Sequence, residues 1–449
     1  MFSSKFLKRS TAVVICTMLL FVMAACGGNN DTKSEPTSTN GTESPSATAN
    51  EKPVTLRLIG WNNVPTVEAL KKLNEKFSAK YPNIKVDMNI VDTNSFGQLK
   101  LTRMTAGDVD IIQSAPFYSP PVDWAVTDKP TWISDIEQGM YTDLSGQPWV
   151  GNYTEDAQKA MSWEGKIYGI PTGSIASNGI FYNKDLFEKN GWSAPKTWDD
   201  FVVLVDQIKK SGISAITIGG KDGWPANMMM NNLVGTVIPN YEDLDRQLWT
   251  GERKFNDEQF MKVWERMDQW NGFFDKGILG VDYNAALSHF VTGKAAMLAD
   301  GSWRASEISG ADANVNYGYF PLPNDAGDQV LQGNFDIGYL INAKSPNQDA
   351  ALKWLAFLNE KENYTEFENT QGLIPTQIGT VMESEFMKEL GTSLKLHYES
   401  LHYTPKGVGK YGSATAGALL KSFGGPIATT KELADLVQGD WDKALKSNK

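Results

Sequence analysis

Tryptophan stands close to a carboxylate, carboxamide or guanidinium at predicted turns such as Trp61-Asn62, Asp222-Gly223-Trp224 and Trp303-Arg304. A flat ring offers an apolar face, and Asp, Asn, Gln or Arg beside it supplies hydrogen bonds. Such sets suit reversible recognition of a ligand with C–H faces and a polar rim. Groups for covalent or metal chemistry are scarce. The two cysteines, Cys16 and Cys26, lie near the N-terminus, and His289, His397 and His402 show no H-x-x-x-H pairing. No catalytic residue, metal or cofactor is expected. Formal charge is -11, and no Lys/Arg cluster marks the body. Nucleic acid is therefore not an expected partner, acidic ligands are disfavoured, and neutral ligands fit best.

These side chains need elements to hold them. Val54, Leu56 and Leu58 alternate with polar residues and predict a strand ending at residues 60–63. Pro65 suits a helical first turn, and Val67, Leu70, Leu73 and Phe77 continue at helical spacing up to Tyr81-Pro82. Ile84, Val86, Met88 and Ile90 predict a second strand, a helix begins near Ser95, and residues 109–112 predict a third strand. Strand–helix alternation is the sign of parallel βαβ units, and ligands of open α/β sheets sit beyond the carboxyl ends of strands. That rule points to Trp61 and Asn62 after the first strand and to Gln113 and Ser114 after the third. Residues 163–201 read as a crossing from one lobe to a second: a turn at 164–166, a small polar run at 172–177, then a strand at 180–182. Asn183 and the Thr197–Asp200 pair cap the helices that follow, and Asn256 caps a later one. Strands are predicted at 214–218, 317–323 and 333–342, with helices from Ala226 and Pro346 and helix throughout the C-terminal part.

The N-terminus is a targeting segment. Lys5, Lys8 and Arg9 precede an apolar run at 11–25, too short for a comfortable membrane span. Met23-Ala24-Ala25-Cys26 resembles a lipobox, so Cys26 is the expected lipidation site and the membrane an expected partner through that anchor. Residues 26–52, rich in Ser, Thr, Asn and Gly, are expected to form a disordered tether.

Several blocks carry a family resemblance: GKIYGIP at 165–171, YNKDLFEKNG at 182–191, PKTWDDF at 195–201, FVTGKAAM at 290–297 followed by Gly301-Ser302-Trp303, and GLIPT at 372–376. Together they resemble the family 1 extracellular solute-binding proteins, the sugar receptors of bacterial ABC importers, with maltose-binding protein as the best-known relative. The resemblance implies an α/β, two-lobe periplasmic-binding-protein-like (type II) fold with a hinge and a central ligand cleft. It also implies a non-enzymatic receptor that closes on a neutral sugar or oligosaccharide and hands it to the permease subunits of an ABC transporter. The protein is expected to be a monomer on the extracellular face of the cell membrane. The implied organisation is a signal peptide at 1–25, the tether at 26–52, lobe 1 at 53–172 with a return segment at 333–378, lobe 2 at 173–332, and C-terminal helices at 379–449 placed mainly on lobe 2.

The same resemblance makes Trp303 a stacking platform, Trp224 a second aromatic with Asp222 as hydroxyl acceptor, and Tyr411 a C-terminal aromatic. Polar contacts are expected from Asn62, Gln113, Ser114, Ser177, Asn178, Arg304, Asn334 and Asp336, all at strand ends or crossings. Trp163, Trp198, Trp264, Trp270 and Trp354 fall in predicted helices or their caps and are assigned to packing. The crossing carries Ser and Ala where the maltose receptor has a carboxylate, and the third strand is followed by Gln113-Ser114 where that receptor has an aromatic, so the ligand is not expected to sit in the maltose manner. Two alternatives stay open. An exported glycoside hydrolase or polysaccharide lyase needs a carboxylate pair whose separation sequence does not reveal, and 53 acidic residues leave room for one. A receptor for a peptide, polyamine or phosphate ester would share the fold.

Overall fold

The computed structural model describes residues 52–127, 130–312, 314–396, 400–409, 418 and 421–448. The expected signal segment, Cys26 and Tyr411 lie outside the described residues.

Lobe 1 is built on a four-stranded sheet in the order Gly338–Ile341, Ile111–Ser114, Val54–Trp61, Ile84–Val91. The last three are mutually parallel, and Gly338–Ile341 pairs antiparallel with Ile111–Ser114. Helix Val64–Lys80 follows the first strand, with Pro65 in its first turn and the Asn63 side chain accepting from the Thr66 N–H. Its apolar stripe, Ala69, Leu70, Leu73 and Phe77, packs into a core with Leu56, Leu58, Tyr339, Trp354 and Phe367. The third strand begins two residues later than the sequence suggests.

Lobe 2 has its own four-stranded sheet in the order Tyr317–Pro321, Gly179–Asn183, Ala295–Ala299, Ser214–Thr217. The capping box is present: Thr197 accepts from the Asp200 N–H and Asp200 accepts from the Thr197 N–H, opening helix Trp198–Lys210. The later cap is Asp257, not Asn256; the Asp257 carboxylate accepts from the Phe260 N–H, whereas the Asn256 amide turns away to Asp435. Trp198, Trp264 and Trp270 are buried in this core, and helix Thr430–Ser447 lays Leu433, Val437 and Trp441 against it. Trp163 is not helical. It sits on a two-residue strand paired with Lys166–Ile167, joined by Glu164 and Gly165 at φ +49° and +77°, the left-handed pair that a tight hairpin requires.

A third sheet joins the lobes: Ile374–Pro375, Gly173–Ala176, Leu331–Phe335, Leu394–Leu396. The two crossings run antiparallel, with Gly333 opposite Ala176 and Phe335 opposite Ser174. A Cβ at Gly333 would stand 1.7 Å from the Ile175 carbonyl oxygen, so only glycine permits this approach. The run at 333–342, which alternation presents as one strand, is broken at Asp336–Ile337. There the Asp336 N–H donates to Gly173 O and the Thr172 N–H to Ile337 O, so the chain changes sheets. Leu394–Leu396 is likewise strand where helix is expected, because Leu331–Gly333 offers it an open edge.

Candidate functional site

One wall belongs to lobe 2. Trp224 opens helix Trp224–Asn232, with Pro225 next to it. Asp222 accepts from the Tyr283 N–H at 2.7 Å, tying the turn after Ser214–Thr217 to the start of helix Tyr283–Val291. Tyr283 is the hub of this wall. Its hydroxyl accepts from Trp303 Nε1 at 2.7 Å, and its ring centroid lies 4.9 Å from that of Trp224. Trp224 and Trp303 are 6.2 Å apart at 37°, two adjacent ring faces set obliquely. Gly301 makes this possible: a Cβ there would meet the Trp303 ring at 1.8 Å, which accounts physically for the G-x-W spacing.

A buried ion network backs the wall. Arg304 Cζ lies 3.3 Å from the Tyr283 ring centroid, Nη2 donates to Tyr283 O at 2.6 Å, Nε donates to Asp300 Oδ2 at 2.9 Å, and Nη1 pairs with Glu307. Burial pushes the Asp300 acid up to about 6, with the Arg304 charge and hydrogen bond opposing. Burial alone would depress Arg304, but Asp300, Tyr283 and Glu307 together hold it above its usual range. Burial lifts the Tyr283 phenol well above its usual range, so the ring stays neutral.

Lobe 1 forms the facing wall from strand ends and helix starts. Trp61 closes the first strand with its ring edge-on to Phe96, centroids 5.2 Å apart. Asn62 and Asn63 lead into the first helix, and Asp92 caps the second by accepting from the Asn94 N–H at 2.9 Å. The hinge supplies the floor through Ile175, Asp336 and Ile337. Burial pushes the Asp336 acid up to about 6, with the Ile337 N–H opposing.

These groups surround a cavity of about 470 Å³. A larger one of about 1210 Å³ continues outward from it, sharing Val64, Asn284 and Glu307, but no aromatic ring lines it. Of these two cavities, only the smaller, inner one has ring faces among its described lining residues.

The structure gathers six predicted site residues around the inner cavity: Trp61, Asn62, Asp222, Trp224, Trp303 and Asp336. It does not place the other described ones there. Arg304 is fully buried behind Tyr283. Asn178 is a joint between strands: its Nδ2 donates to Val330 O and its Oδ1 accepts from the Gln332 N–H. The Ser177 and Ser114 hydroxyls donate to the backbone at Gln332 and Ala115, and Asn334 donates to the Tyr118 hydroxyl and Phe335 O. Gln113 is wholly buried against Gly60, its amide atoms without a partner among the described residues. Sequence reasoning missed Tyr283, Asn284, Glu307 and the Asp92-Thr93-Asn94 turn, all lining the cavity. The strand-end rule applied to the second strand would have reached Asp92; no local signal marks Tyr283.

The sequence profile of the bacterial extracellular solute-binding proteins matches residues 62–365. The chain belongs to that family. It is a family of receptors rather than enzymes, and the chain has its two-lobe α/β type II fold. An uncharacterised ABC transporter extracellular-binding protein of Pyrococcus horikoshii is 26% identical over 349 residues, 74% of this chain and 75% of its own. The multiple sugar-binding protein of Streptococcus mutans is 26% identical over 341 residues, 74% of this chain and 77% of its own. Among solved structures, a chitin oligosaccharide binding protein superposes with a TM-score of 0.68 at 26% identity, covering 88% of this chain and 99% of its own. The solute-binding protein RafE in complex with raffinose gives 0.70 at 20% identity, covering 87% and 99%.

Proposed function

We propose that this chain is the saccharide-capturing receptor of a bacterial ABC importer. Residues 53–172 and 333–378 form one jaw, and residues 173–332 with the C-terminal helices form the other. One observation carries this reading: Trp61 from lobe 1 and Trp224 and Trp303 from lobe 2 converge, with carboxylates between them, on one cavity at the hinge. Rings of this kind take the C–H faces of a sugar, while Asn62, Asp222 and Asp336 meet its hydroxyls. A ligand that touches both walls favours the closed arrangement through its differential affinity, and no covalent step is involved. Names borne by relatives, a multiple sugar-binding protein and a chitin oligosaccharide binding protein, agree with this ligand class. A lipid on Cys26 and the tether at 26–52 would hold the receptor near its permease.

The test is a thermal-shift panel of oligosaccharides with product analysis in the same tubes. A saturable rise in melting temperature with intact ligand is expected. Turnover of the sugar, or no shift with any saccharide, would sink the reading.

A further inference from the structure

The inner cavity carries one sign of charge. Asp92, Asp222, Asp282, Glu307 and Asp336 line it, and none of its described lining residues is basic. Glu307 is paired with Arg304, but that guanidinium is itself buried behind the Tyr283 ring and shared with Asp300. Asp92, Asp222 and Asp282 accept backbone N–H groups of Asn94, Tyr283 and Ala285, which orient them without cancelling their charge. Asp336, on the floor, accepts the Ile337 N–H and has no ion-pair partner among the described residues. The nearby lysines, Lys72 and Lys361, line the outer cavity instead.

A cleft of one sign with low-dielectric walls concentrates ligands of the other sign. The faces of Trp61, Trp224 and Trp303 add to this, because ring quadrupoles attract cations more strongly as water leaves. Asp336 is already desolvated at the floor, so a wholly neutral ligand closed over it would leave its carboxylate without a counter-charge, which is costly. A ligand ammonium removes that cost. Yet a bare cation would leave two obliquely set tryptophan faces and the Asn62, Asn94 and Asn284 rim unused.

We propose that this cleft selects a saccharide bearing a protonated amine, a glucosamine-type unit, with its ammonium at the Asp336 floor and its ring faces on Trp224 and Trp303. The proposal rests on the saccharide-receptor reading above and narrows its ligand class.

Calorimetric titration of the purified protein tests it, with the glucosamine trisaccharide, its N-acetylated counterpart, maltotriose and spermidine as probes, each at low and high salt. The free-amine trisaccharide is expected to bind at least about ten-fold tighter than the N-acetylated one, with the ratio shrinking as salt screens the carboxylates. Asp336→Asn is expected to collapse that ratio; should the variant not fold, Asp92→Asn is expected to reduce it, and the salt dependence of the native protein still decides. Equal or tighter binding of the N-acetylated or neutral trisaccharide overturns the proposal and leaves the saccharide reading standing. Spermidine binding with no saccharide binding, or no binding of any of the four probes, overturns this proposal, and the saccharide reading then falls only if the wider oligosaccharide panel also gives no shift.

Discussion

The two walls of the cleft are built in opposite ways. On lobe 2, Trp303 is held by Tyr283, Tyr283 by Arg304, and Arg304 by Asp300 and Glu307, with Asp222 fixing the backbone of Tyr283. Every ring there is positioned before a ligand arrives. On lobe 1, Trp61 meets only the edge of Phe96 among the described rings, and Asn62, Asp92, Thr93 and Asn94 are exposed. Rigid groups forfeit little entropy on binding, whereas free side chains must be ordered at the moment of contact. On the proposed saccharide reading, the difference makes lobe 2 the preformed platform on which ligand would first rest. Lobe 1 contributes when the hinge closes.

Substitutions in the two walls should therefore differ in kind. The largest effect is expected from Arg304→Met, which leaves Asp300 and Glu307 buried without a counter-charge. Removing one partner of such a network costs about 3–5 kcal/mol of folding stability. Urea denaturation measures it, and a loss below about 1 kcal/mol would show that the platform is not held by this network. Trp303→Ala comes next. As a central aromatic anchor, its loss should weaken saccharide binding by about 2–4 kcal/mol, roughly 30- to 1000-fold, by titration calorimetry. Unchanged affinity would refute the platform role.

This asymmetry also explains what the sequence could disclose. The alternation of Leu56 and Leu58, the stripe from Leu70 to Phe77 and the Thr197–Asp200 box are local patterns, and each appears in the structure where the pattern lies. The platform was only partly legible. Gly301 and Trp303 are two residues apart in sequence, but Tyr283 is tied to Asp222, 61 residues away, by a hydrogen bond. Polar residues at crossings were ambiguous for the same reason. Whether Asn178 faces ligand or joins strands depends on Gln332 and Val330, more than 150 residues distant. The hinge sheet was hidden most deeply, since Leu394–Leu396 becomes a strand only by pairing with Leu331–Gly333.

Two milder substitutions sharpen the contrast between walls. Tyr283→Phe keeps the ring beneath Arg304 but removes the acceptor of Trp303 Nε1. The unsatisfied indole should cost about 1–2 kcal/mol of affinity, while far-ultraviolet dichroism stays unchanged and tryptophan fluorescence shifts. Trp61→Ala acts on the less firmly held wall, where the ring rests on the lobe 1 core and the edge of Phe96 without a hydrogen-bonded partner among the described residues. About 1 kcal/mol, near five-fold, is expected, appearing as faster ligand release in stopped-flow traces because its contact forms last. A larger loss at Trp61 than at Trp303 would reverse the assignment of platform and lid.

The smallest effect per unit of perturbation lies between the walls, at the hinge. Glu368 is fully buried beside Thr172 and Gln371, and Gly173 is packed so closely that a Cβ there would lie 2.8 Å from its carboxyl. Burial pushes this acid up to about 8; hydrogen bonds from Thr172 and Gln371 oppose, and the Asp336 charge adds to the rise. The folded state thus keeps a proton that the unfolded chain has lost above its ordinary value of 4.5. Stability from this group is complete below that value and declines as pH rises towards 8, by at most about 1.4 kcal/mol per pH unit. Glu368→Gln replaces the neutral acid with a neutral amide, so melting temperatures should match the native protein below about pH 4.5, exceed it progressively as pH rises from there towards 8, and gain no more beyond. Parallel curves across that range would mean that Glu368 is ionised in the fold. Its charge would then require a counter-charge at the hinge, and none of the described neighbours provides one.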